Sequence, residues 1–198
     1  MLELRLVSAS PRRKDLLEKE AFKFIVDTVK LSEIVEENLN LGDAIAQLAQ
    51  TKAEAYLNEH KHLKSQDILV LTADTIVAYE GEVLGKPDSG TEAVEMLRKL
   101  SGKKHSVITG ICLWNLKTDD CFSTFAETKV QFKELTDEQI QRYVDTGTPM
   151  DKAGAYGIQD VGDEFVENIE GSFDNVVGLP TELLKQVLDE KGWQVDRG

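Results

Sequence analysis

The stretch Ile68-Leu-Val-Leu-Thr-Ala-Asp-Thr-Ile-Val-Ala-Tyr79 is the most apolar part of the chain and is rich in β-branched residues. This composition is typical of a buried strand. Asp74 lies in the middle of the stretch, where an isolated carboxylate is costly to bury. We therefore expect Asp74 to serve a metal ion, a cationic neighbour or a proton transfer. The alternative is a bend that places Asp74 at the surface as a turn residue.

Strand and helix patterns alternate on both sides of this stretch. Residues 2–7 alternate apolar and charged side chains, as a strand with one buried face does, and Ser10-Pro11 marks the start of a helix. Asp43 is expected to cap a long helix that reaches about His62. Further strands are predicted over 24–28, 83–84, 106–114, 122–132 and 165–169, and further helices over 89–100, 136–147 and 181–192. The Gly- and Ala-rich segment 151–162 and residues 170–180 are predicted to be loops.

This order of elements contains both crossovers and hairpins, so it predicts an α/β fold with a mixed sheet flanked by helices. The chain of 198 residues has no internal repeat and no linker. It therefore suits a single domain over residues 1–198, or two lobes that share one sheet.

Composition excludes several classes of protein. The formal net charge of −13 argues against a protein that coats a nucleic acid polymer through bulk charge. No apolar run approaches the roughly 20 residues of a membrane span, and the N-terminus does not resemble a signal peptide. The sequence predicts a cytoplasmic protein without a membrane segment, and it leaves room for a small anionic ligand at a local basic site.

Two cysteines are too few for a disulfide framework. Cys112 and Cys121 flank residues 115–120, which have the composition of a turn between two β-rich runs. A hairpin centred between Leu116 and Lys117 would place them opposite each other. We expect two reduced thiols that pack as small apolar residues.

The segment Ser8-Ala-Ser10-Pro-Arg12-Arg13 connects a predicted strand to a predicted helix. Free N–H groups at a helix start point at an anion, the helix dipole favours it, and the two arginines add forked donors. This arrangement suits a phosphate. The alternative is an ordinary capped helix with solvated arginines.

Four further side chains are candidates on weaker grounds. Lys52 on an apolar helix face and Lys86 in Gly85-Lys86-Pro87 can each reach a phosphate, although either can equally extend to solvent. Glu33 is a candidate metal ligand within an acidic run that can also be a solvated face. Gln159 offers a paired donor and acceptor that suits the edge of a base, or it is a plain loop residue.

In combination, these motifs closely resemble the Maf family of nucleoside triphosphate pyrophosphatases. The resemblance runs from about residue 4 to 188 and rests on motifs that occur in order: the Ser8–Arg13 segment, Lys52-Ala53, Ala73-Asp74-Thr75, Gly85-Lys86-Pro87, Leu100-Ser-Gly102 with His105, Asp151-Lys-Ala-Gly-Ala-Tyr-Gly-Ile-Gln159, and Gly171-Ser172 through Pro180.

The resemblance implies an elongated, twisted mixed sheet in two lobes with a central cleft, related to the inosine triphosphate pyrophosphatases. It implies hydrolysis of a nucleoside triphosphate to the monophosphate and pyrophosphate with a divalent cation, Mg²⁺ or Mn²⁺. The form of the late motif is similar to the subgroup that acts on dTTP and UTP, which implies removal of excess or modified pyrimidine nucleotides. The family also suggests a homodimer.

The site roles that the resemblance implies fall into four groups. Asp74 matches the catalytic acid, either as general base or as metal ligand, and Glu33 matches a second metal-site carboxylate. The positions that match phosphate-handling residues are Ser10, Arg12, Arg13, Lys52 and Lys86. The positions that match specificity residues are Arg13, Thr75 and Gln159.

Two other functions stay open from the residues. One is a nucleotide-binding regulator of cell division or septum formation that turns nothing over. The other is a phosphohydrolase that releases inorganic phosphate. A pure binding module has no need of an acid in a buried strand, so Asp74 favours an enzyme.

Overall fold

The computed structural model describes residues 1–30 and 40–198. Its strands are β1 (Glu3–Val7), β2 (Phe24–Asp27), β3 (Ile68–Tyr79), β4 (Glu82–Leu84), β5 (Lys104–Asn115), β6 (Asp120–Phe132) and β7 (Val166–Glu170). Its helices are α1 (Pro11–Lys19), α2 (Leu41–Glu59), α3 (Gly90–Leu100), α4 (Asp137–Val144), α5 (Ile158–Phe165), α6 (Phe173–Val177) and α7 (Thr181–Lys191).

The strands of the described residues form one seven-stranded sheet in the order β2-β1-β3-β5-β6-β7, with β4 paired to β3. Strand β1 runs parallel to both β2 and β3, whereas β4 is antiparallel to β3 and β7 is antiparallel to β6. The predicted mixed α/β fold is confirmed.

The chain divides into two compact units. Unit 1 contains the described residues of Met1–Asp74, together with Thr109–Ala126 and Gly178–Gly198. Unit 2 contains Thr75–Ile108 and Glu127–Val177.

Helix α2 packs closely against the sheet in unit 1. A side chain at Gly110 in β5 would place its Cβ 2.3 Å from the carbonyl oxygen of Ile45, so glycine is required for this approach. The buried Thr72 hydroxyl of β3 donates to the Ala49 carbonyl of α2 at 2.6 Å. The core beneath the helix contains a cluster of buried residues: Val7, Ala49, Ala53, Tyr56, Leu63, Ile68, Val70, Cys112 and Leu116.

Unit 2 contains a buried aromatic group around His105. The His105 ring makes edge contacts with Phe132 and Tyr156 at centroid distances of 4.8 and 5.4 Å. Its Nε2 atom lies 2.8 Å from the Tyr156 hydroxyl. Burial lowers the pKa of His105 to about 4, although the backbone of Lys103 acts in the opposite direction. His105 is therefore a neutral core residue at pH 7.

The structure corrects the predicted start of α2. Asn40, and not Asp43, is the N-cap, because the Asn40 side chain accepts a hydrogen bond from the Asp43 backbone N–H at 3.0 Å. Both residue types suit a cap, so local chemistry alone does not choose between them. The helix ends at Glu59, shortly before the predicted His62.

Two helices lie where loops were predicted. Helix α5 follows Gly157 and contains a non-helical residue, Gly162, at φ 39° and ψ −137°. Helix α6 spans only five residues. Both are too short for the apolar periodicity that indicates a helix in sequence.

The predicted proximity of the two cysteines is confirmed. The turn between β5 and β6 covers residues 116–119, so its centre lies one residue later than predicted. Cys112 and Cys121 are both free thiols, and their sulfur atoms lie 3.5 Å apart.

No helix within the described residues combines the length and the apolar character that crossing a bilayer requires.

We predict that His105 makes the stability of the fold depend on pH. Between its ordinary pKa of 6.5 and its folded pKa of about 4, the unfolded chain binds a proton that the folded chain does not. The free energy of unfolding should therefore decrease as pH falls through this window, by up to about 3 kcal/mol. Urea unfolding measured from pH 7 to pH 4 tests this.

The variant His105→Gln keeps a hydrogen-bonding group but cannot titrate, so its pH slope should be flatter than that of the wild type. The control is His62→Gln, because His62 is exposed, and its slope should equal the wild-type slope. Equal slopes for all three proteins would contradict the assignment to His105.

Candidate active site

The first group of predicted site residues lies at one end of a parallel strand pair in unit 1. Val7, the last residue of β1, is in register with Thr72 of β3. The segment Ser8–Arg13 follows Val7, and Asp74 lies two residues beyond Thr72. The register therefore places the predicted phosphate segment and the predicted catalytic acid at the same edge of the pair.

Helix α1 begins with unusual electrostatics. Ser10 is its N-cap and Pro11 occupies the first helical position, as predicted, but the Ser10 side chain does not cap the helix by a hydrogen bond. The first turn contains no acidic residue and carries Arg12 and Arg13 instead. Cations at a helix N-terminus interact unfavourably with the helix dipole. A bound anion there interacts favourably with both the dipole and the two arginines. The turn is thus suited to an anion.

Arg13 also has a structural role. Its Nε donates to the carbonyl oxygen of Gly178 at 2.8 Å, and its Nη1 donates to the Ser8 hydroxyl at 3.1 Å. The Ser8 hydroxyl in turn accepts from the Ser10 backbone N–H at 3.2 Å. These bonds fix the direction of the Arg13 guanidinium and the shape of the loop before α1.

Asp74 forms an ion pair with Lys52. Lys52 Nζ donates to Asp74 Oδ2 at 2.9 Å, and the two side chains are only 16% and 13% exposed. Asp74 lies within the continuous strand β3, so the alternative of a surface turn residue is wrong. The sequence predicts that Asp74 serves a metal ion, a cationic neighbour or a proton transfer. The structure shows the cationic neighbour, Lys52.

The second group of predicted site residues lies in unit 2, on neighbouring segments. Gly154 N–H donates to the Gly85 carbonyl at 3.0 Å, which connects the loop that carries Lys86 to the segment that leads to Gln159. Gly154 has φ +66° and lies against Val77 of β3, where a Cβ would approach to 2.9 Å. Thr75 lies two residues before Val77 on that strand. Lys86 and Gln159 are both exposed.

Buried groups hold the segment around Gln159. Gly157 N–H donates to the Tyr143 hydroxyl at 3.1 Å. Lys152, which is 8% exposed, donates to the Thr148 carbonyl and to Asp151 at 2.6 and 2.7 Å. A Cβ at Gly157 would lie 2.7 Å from Lys152 Cε, so the segment fits tightly over this lysine. Gln159 is thus the second residue of a helix with a fixed start.

Sequence reasoning missed the residues that support this segment. Tyr143 and Lys152 act through the backbone of other residues, and such contacts have no sequence signature. Burial raises the pKa of Tyr143, so its hydroxyl stays protonated at neutral pH. The motif Asp151–Gln159 indicated that this segment is functional. It did not indicate that Tyr143 and Lys152 hold the segment in place.

The carboxylates of the described residues were examined as metal ligands. Within residues 1–30 and 40–198, no three His, Cys, Asp or Glu side chains lie close enough to hold a metal ion. Glu33 lies outside the described residues. Mg²⁺ commonly takes one or two protein carboxylates and fills its other positions with water and substrate phosphates. Asp74 lies at the same strand edge as the predicted phosphate segment, which fits such a substrate-borne cation.

A cavity of about 560 Å³ opens elsewhere in unit 1. Its walls are formed by residues near the C-terminus of α2 and the β5–β6 turn: Glu54, Leu57, Asn58, His60, Lys61, Lys64, Trp114, Leu116 and Asp119. None of the predicted site residues lines it. The cavity and the Asp74 edge are therefore separate features.

Comparisons with known proteins found a matching family model and relatives that cover nearly the whole chain. The family model described as Maf-like protein matches residues 3–191. A dTTP/UTP pyrophosphatase from Bdellovibrio bacteriovorus is 48% identical over 187 residues, which are 94% of this chain and 97% of that protein. A dTTP/UTP pyrophosphatase from Caldicellulosiruptor bescii is 40% identical over 100% of this chain and 99% of that protein.

One solved structure supports the fold. A HAM1 protein from Coxiella burnetii superposes with a TM-score of 0.50 at 16% sequence identity, over 96% of this chain and 100% of that chain. At this level of identity the likeness concerns the fold alone.

We predict that Lys52 and Asp74 are energetically coupled. Removing one charge leaves the other poorly solvated, so the single variants Lys52→Met and Asp74→Asn should together cost more stability than the double variant. The coupling free energy should be about 1–3 kcal/mol by urea unfolding at pH 7. An exposed pair, Lys14–Glu18 in α1, is the control, because its coupling should stay below about 1 kcal/mol. Additive effects of the two buried substitutions would contradict the prediction.

Proposed function

Because this chain belongs to the Maf-like protein family, we propose that it is a nucleoside triphosphate pyrophosphatase that converts dTTP and UTP to the monophosphate and pyrophosphate. The names of two relatives with nearly full coverage support the reaction and the substrates. The observation that carries the proposal is the Lys52–Asp74 ion pair at the same strand edge as an anion-binding helix start.

Binding of the triphosphate rests on cations and backbone donors of unit 1. The backbone N–H groups of the first turn of α1 and the guanidinium groups of Arg12 and Arg13 supply donors to phosphate oxygens. Lys52 supplies a further point charge. These groups neutralise charge that develops on the phosphates, which is most of what phosphoryl transfer requires.

The reaction proposed is attack of water on the α-phosphorus. A new bond forms between the water oxygen and the α-phosphorus, the α–β anhydride bond breaks, and pyrophosphate leaves. Asp74 takes the water proton if it is the general base.

A divalent cation is proposed as the cofactor. Asp74 would hold it, together with phosphate oxygens of the substrate, and the resemblance adds Glu33. When bound, Mg²⁺ or Mn²⁺ neutralises phosphate charge and polarises a coordinated water. In this proposal the Asp74 carboxylate acts either as the general base or as a metal ligand.

Recognition of the base is proposed for unit 2. The exposed Gln159 amide offers one donor and one acceptor, which match the edge of a pyrimidine. Thr75 adds a hydroxyl, and Lys86 a further cation towards phosphate. The buried groups that hold the Gln159 segment limit its movement, which favours selectivity because a fixed donor–acceptor pair penalises a mismatched base.

We propose the cytoplasm as the site of action, because two free cysteines suit a reducing compartment. The net charge of −13 disfavours a nucleic acid polymer as partner. We also propose that the protein forms a homodimer, as the resemblance to the Maf family implies.

We predict that the products from dTTP are thymidine monophosphate and pyrophosphate. Separate assays of pyrophosphate and inorganic phosphate, at equal substrate and with Mg²⁺ or Mn²⁺, distinguish this from a phosphatase and from a binding protein. Asp74→Asn keeps the shape of the side chain but removes its charge and basicity, so kcat should fall by roughly 10²–10⁴. If Asp74 is mainly a metal ligand, excess Mn²⁺ should restore part of the loss.

The matched control is Asp189→Asn, an exposed acid in α7, which should turn over dTTP at the wild-type rate. Release of inorganic phosphate alone, or no turnover by the wild type, would overturn the proposed function. An Asp74→Asn variant with more than about a tenth of wild-type kcat would remove Asp74 from the reaction.

We predict that Gln159→Ala reduces discrimination and leaves phosphate handling largely intact. Loss of a donor and an acceptor should lower the kcat/KM ratio of dTTP over GTP by about tenfold, mainly through KM for dTTP. Gln186→Ala is the control, because Gln186 is an exposed glutamine of α7 that bonds only Glu190 within the described residues. An unchanged ratio in Gln159→Ala would assign base recognition to other residues.

A further inference from the structure

The two cysteines are arranged as a reactive pair and not only as packing residues. Cys112 lies in β5 and Cys121 lies in the adjacent strand β6, and their sulfur atoms are 3.5 Å apart. Both are free thiols. A disulfide requires a separation of about 2 Å, so a small movement of the side chains suffices to join them.

The two thiols differ in access to solvent. Cys112 is 0% exposed and belongs to the buried cluster beneath α2. Cys121 is only partly buried and packs against that cluster, as Leu57 and Trp114 also do. A small oxidant in solution can therefore reach Cys121, whereas Cys112 is shielded.

The pKa values of the two thiols are shifted in opposite directions, and Cys121 is again the more reactive of the two. The hydrogen bond from the Cys112 thiol lowers the pKa of Cys121, against burial and the nearby carboxylates of Glu54, Asp119 and Asp120. The same hydrogen bond and burial raise the pKa of Cys112. A partly accessible thiol with a stabilised thiolate beside a second thiol is the arrangement of redox-sensitive cysteines.

We propose that Cys112 and Cys121 are a modification site at which a hydroperoxide forms a reversible intramolecular disulfide, with Cys121 as the attacking thiol and Cys112 as the resolving thiol. Cytosolic disulfides are typically transient and redox-sensing, which agrees with a pair that is reduced at rest. The proposal is independent of the pyrophosphatase activity.

The chemistry balances in two steps. The Cys121 thiolate attacks one oxygen of hydrogen peroxide, the O–O bond breaks, and the products are a sulfenic acid on Cys121 and hydroxide, which takes up a proton to become water. The Cys112 sulfur then attacks the Cys121 sulfur, the S–O bond breaks, and a second water leaves with the Cys112 proton. Two thiols lose two electrons and two protons, and the peroxide is reduced to two waters.

A metal site is the other use of two adjacent thiolates. It needs at least one more ligand close by, and no group of three such side chains occurs in the part of the chain that the structure describes. The high pKa of the buried Cys112 also disfavours a metal-bound thiolate at that position.

The test uses the full-length protein, reduced and freed of reductant, with a small excess of hydrogen peroxide. After the remaining thiols are alkylated, the intact mass should show loss of about 2 Da and no alkylated thiol. A thiol-specific chromogen, added in denaturant so that the buried Cys112 is also counted, should find two thiols before peroxide and none after it, and dithiothreitol should restore both. A non-reducing gel should show a monomer-sized chain, because the bond is intramolecular.

Two single variants assign the roles. In Cys112→Ala, Cys121 should accumulate as a sulfenic acid with a gain of about 16 Da that dimedone traps. In Cys121→Ala, Cys112 should keep its thiol at the same peroxide dose, at least tenfold slower to react than Cys121, since it is buried and protonated.

Four results would overturn the proposal. The first is a wild-type protein that keeps two titratable thiols, and the second is one that gains oxygen without losing about 2 Da. The third is a covalent dimer. The fourth, equal reactivity of the two single variants, would refute the assigned order of attack. The wild-type mass measurement decides the first two even where a variant fails to fold.

Discussion

A negative charge in a buried strand is the constraint on which this fold depends. From Ile68 to Ala73 the residues of β3 are between 0 and 3% exposed, and Asp74 follows them without a break in the strand. A carboxylate in such a place is stable only with a cation nearby. Lys52 supplies this cation because the backbone of α2 packs directly against the sheet, an approach that Gly110 permits. The pairing of this one charge thus depends on how a helix of nineteen residues packs.

The proposed function requires an acidic protein to bind a highly charged anion. The net charge of −13 repels phosphate at long range, so binding must rest on short-range groups. In the proposal the first turn of α1 provides them, since it combines backbone N–H groups with two arginines and no acid. Arg13 is held in direction by Gly178 and Ser8 before any ligand arrives. Such preorganisation reduces the entropy lost on binding.

The sequence was sufficient where local chemistry determines the structure. The bounds of β3 follow from its apolar run, and Ser89 and Thr136, the first residues of two predicted helices, are the N-caps of α3 and α4. It was insufficient where the determining contacts are distant in sequence. The partnership of Lys52 with Asp74 depends on helix packing, and the short helix α5 depends on Tyr143 and Lys152, which hold the chain before it. Such contacts leave no local pattern, so the candidate residues were identifiable by type while their partners were not.

The division of candidate residues agrees with the chemistry of a nucleoside triphosphate. Phosphates are common to all such substrates, so groups that act on them need charge and position but no selectivity. The cations and the acid of unit 1 have this character. The base is what distinguishes one substrate from another, and its recognition requires neutral donors and acceptors held in fixed directions. The Gln159 segment has that character, since buried groups restrain its backbone while its side chain is exposed. Selectivity can therefore change by substitution on this segment without alteration of the groups that handle phosphate.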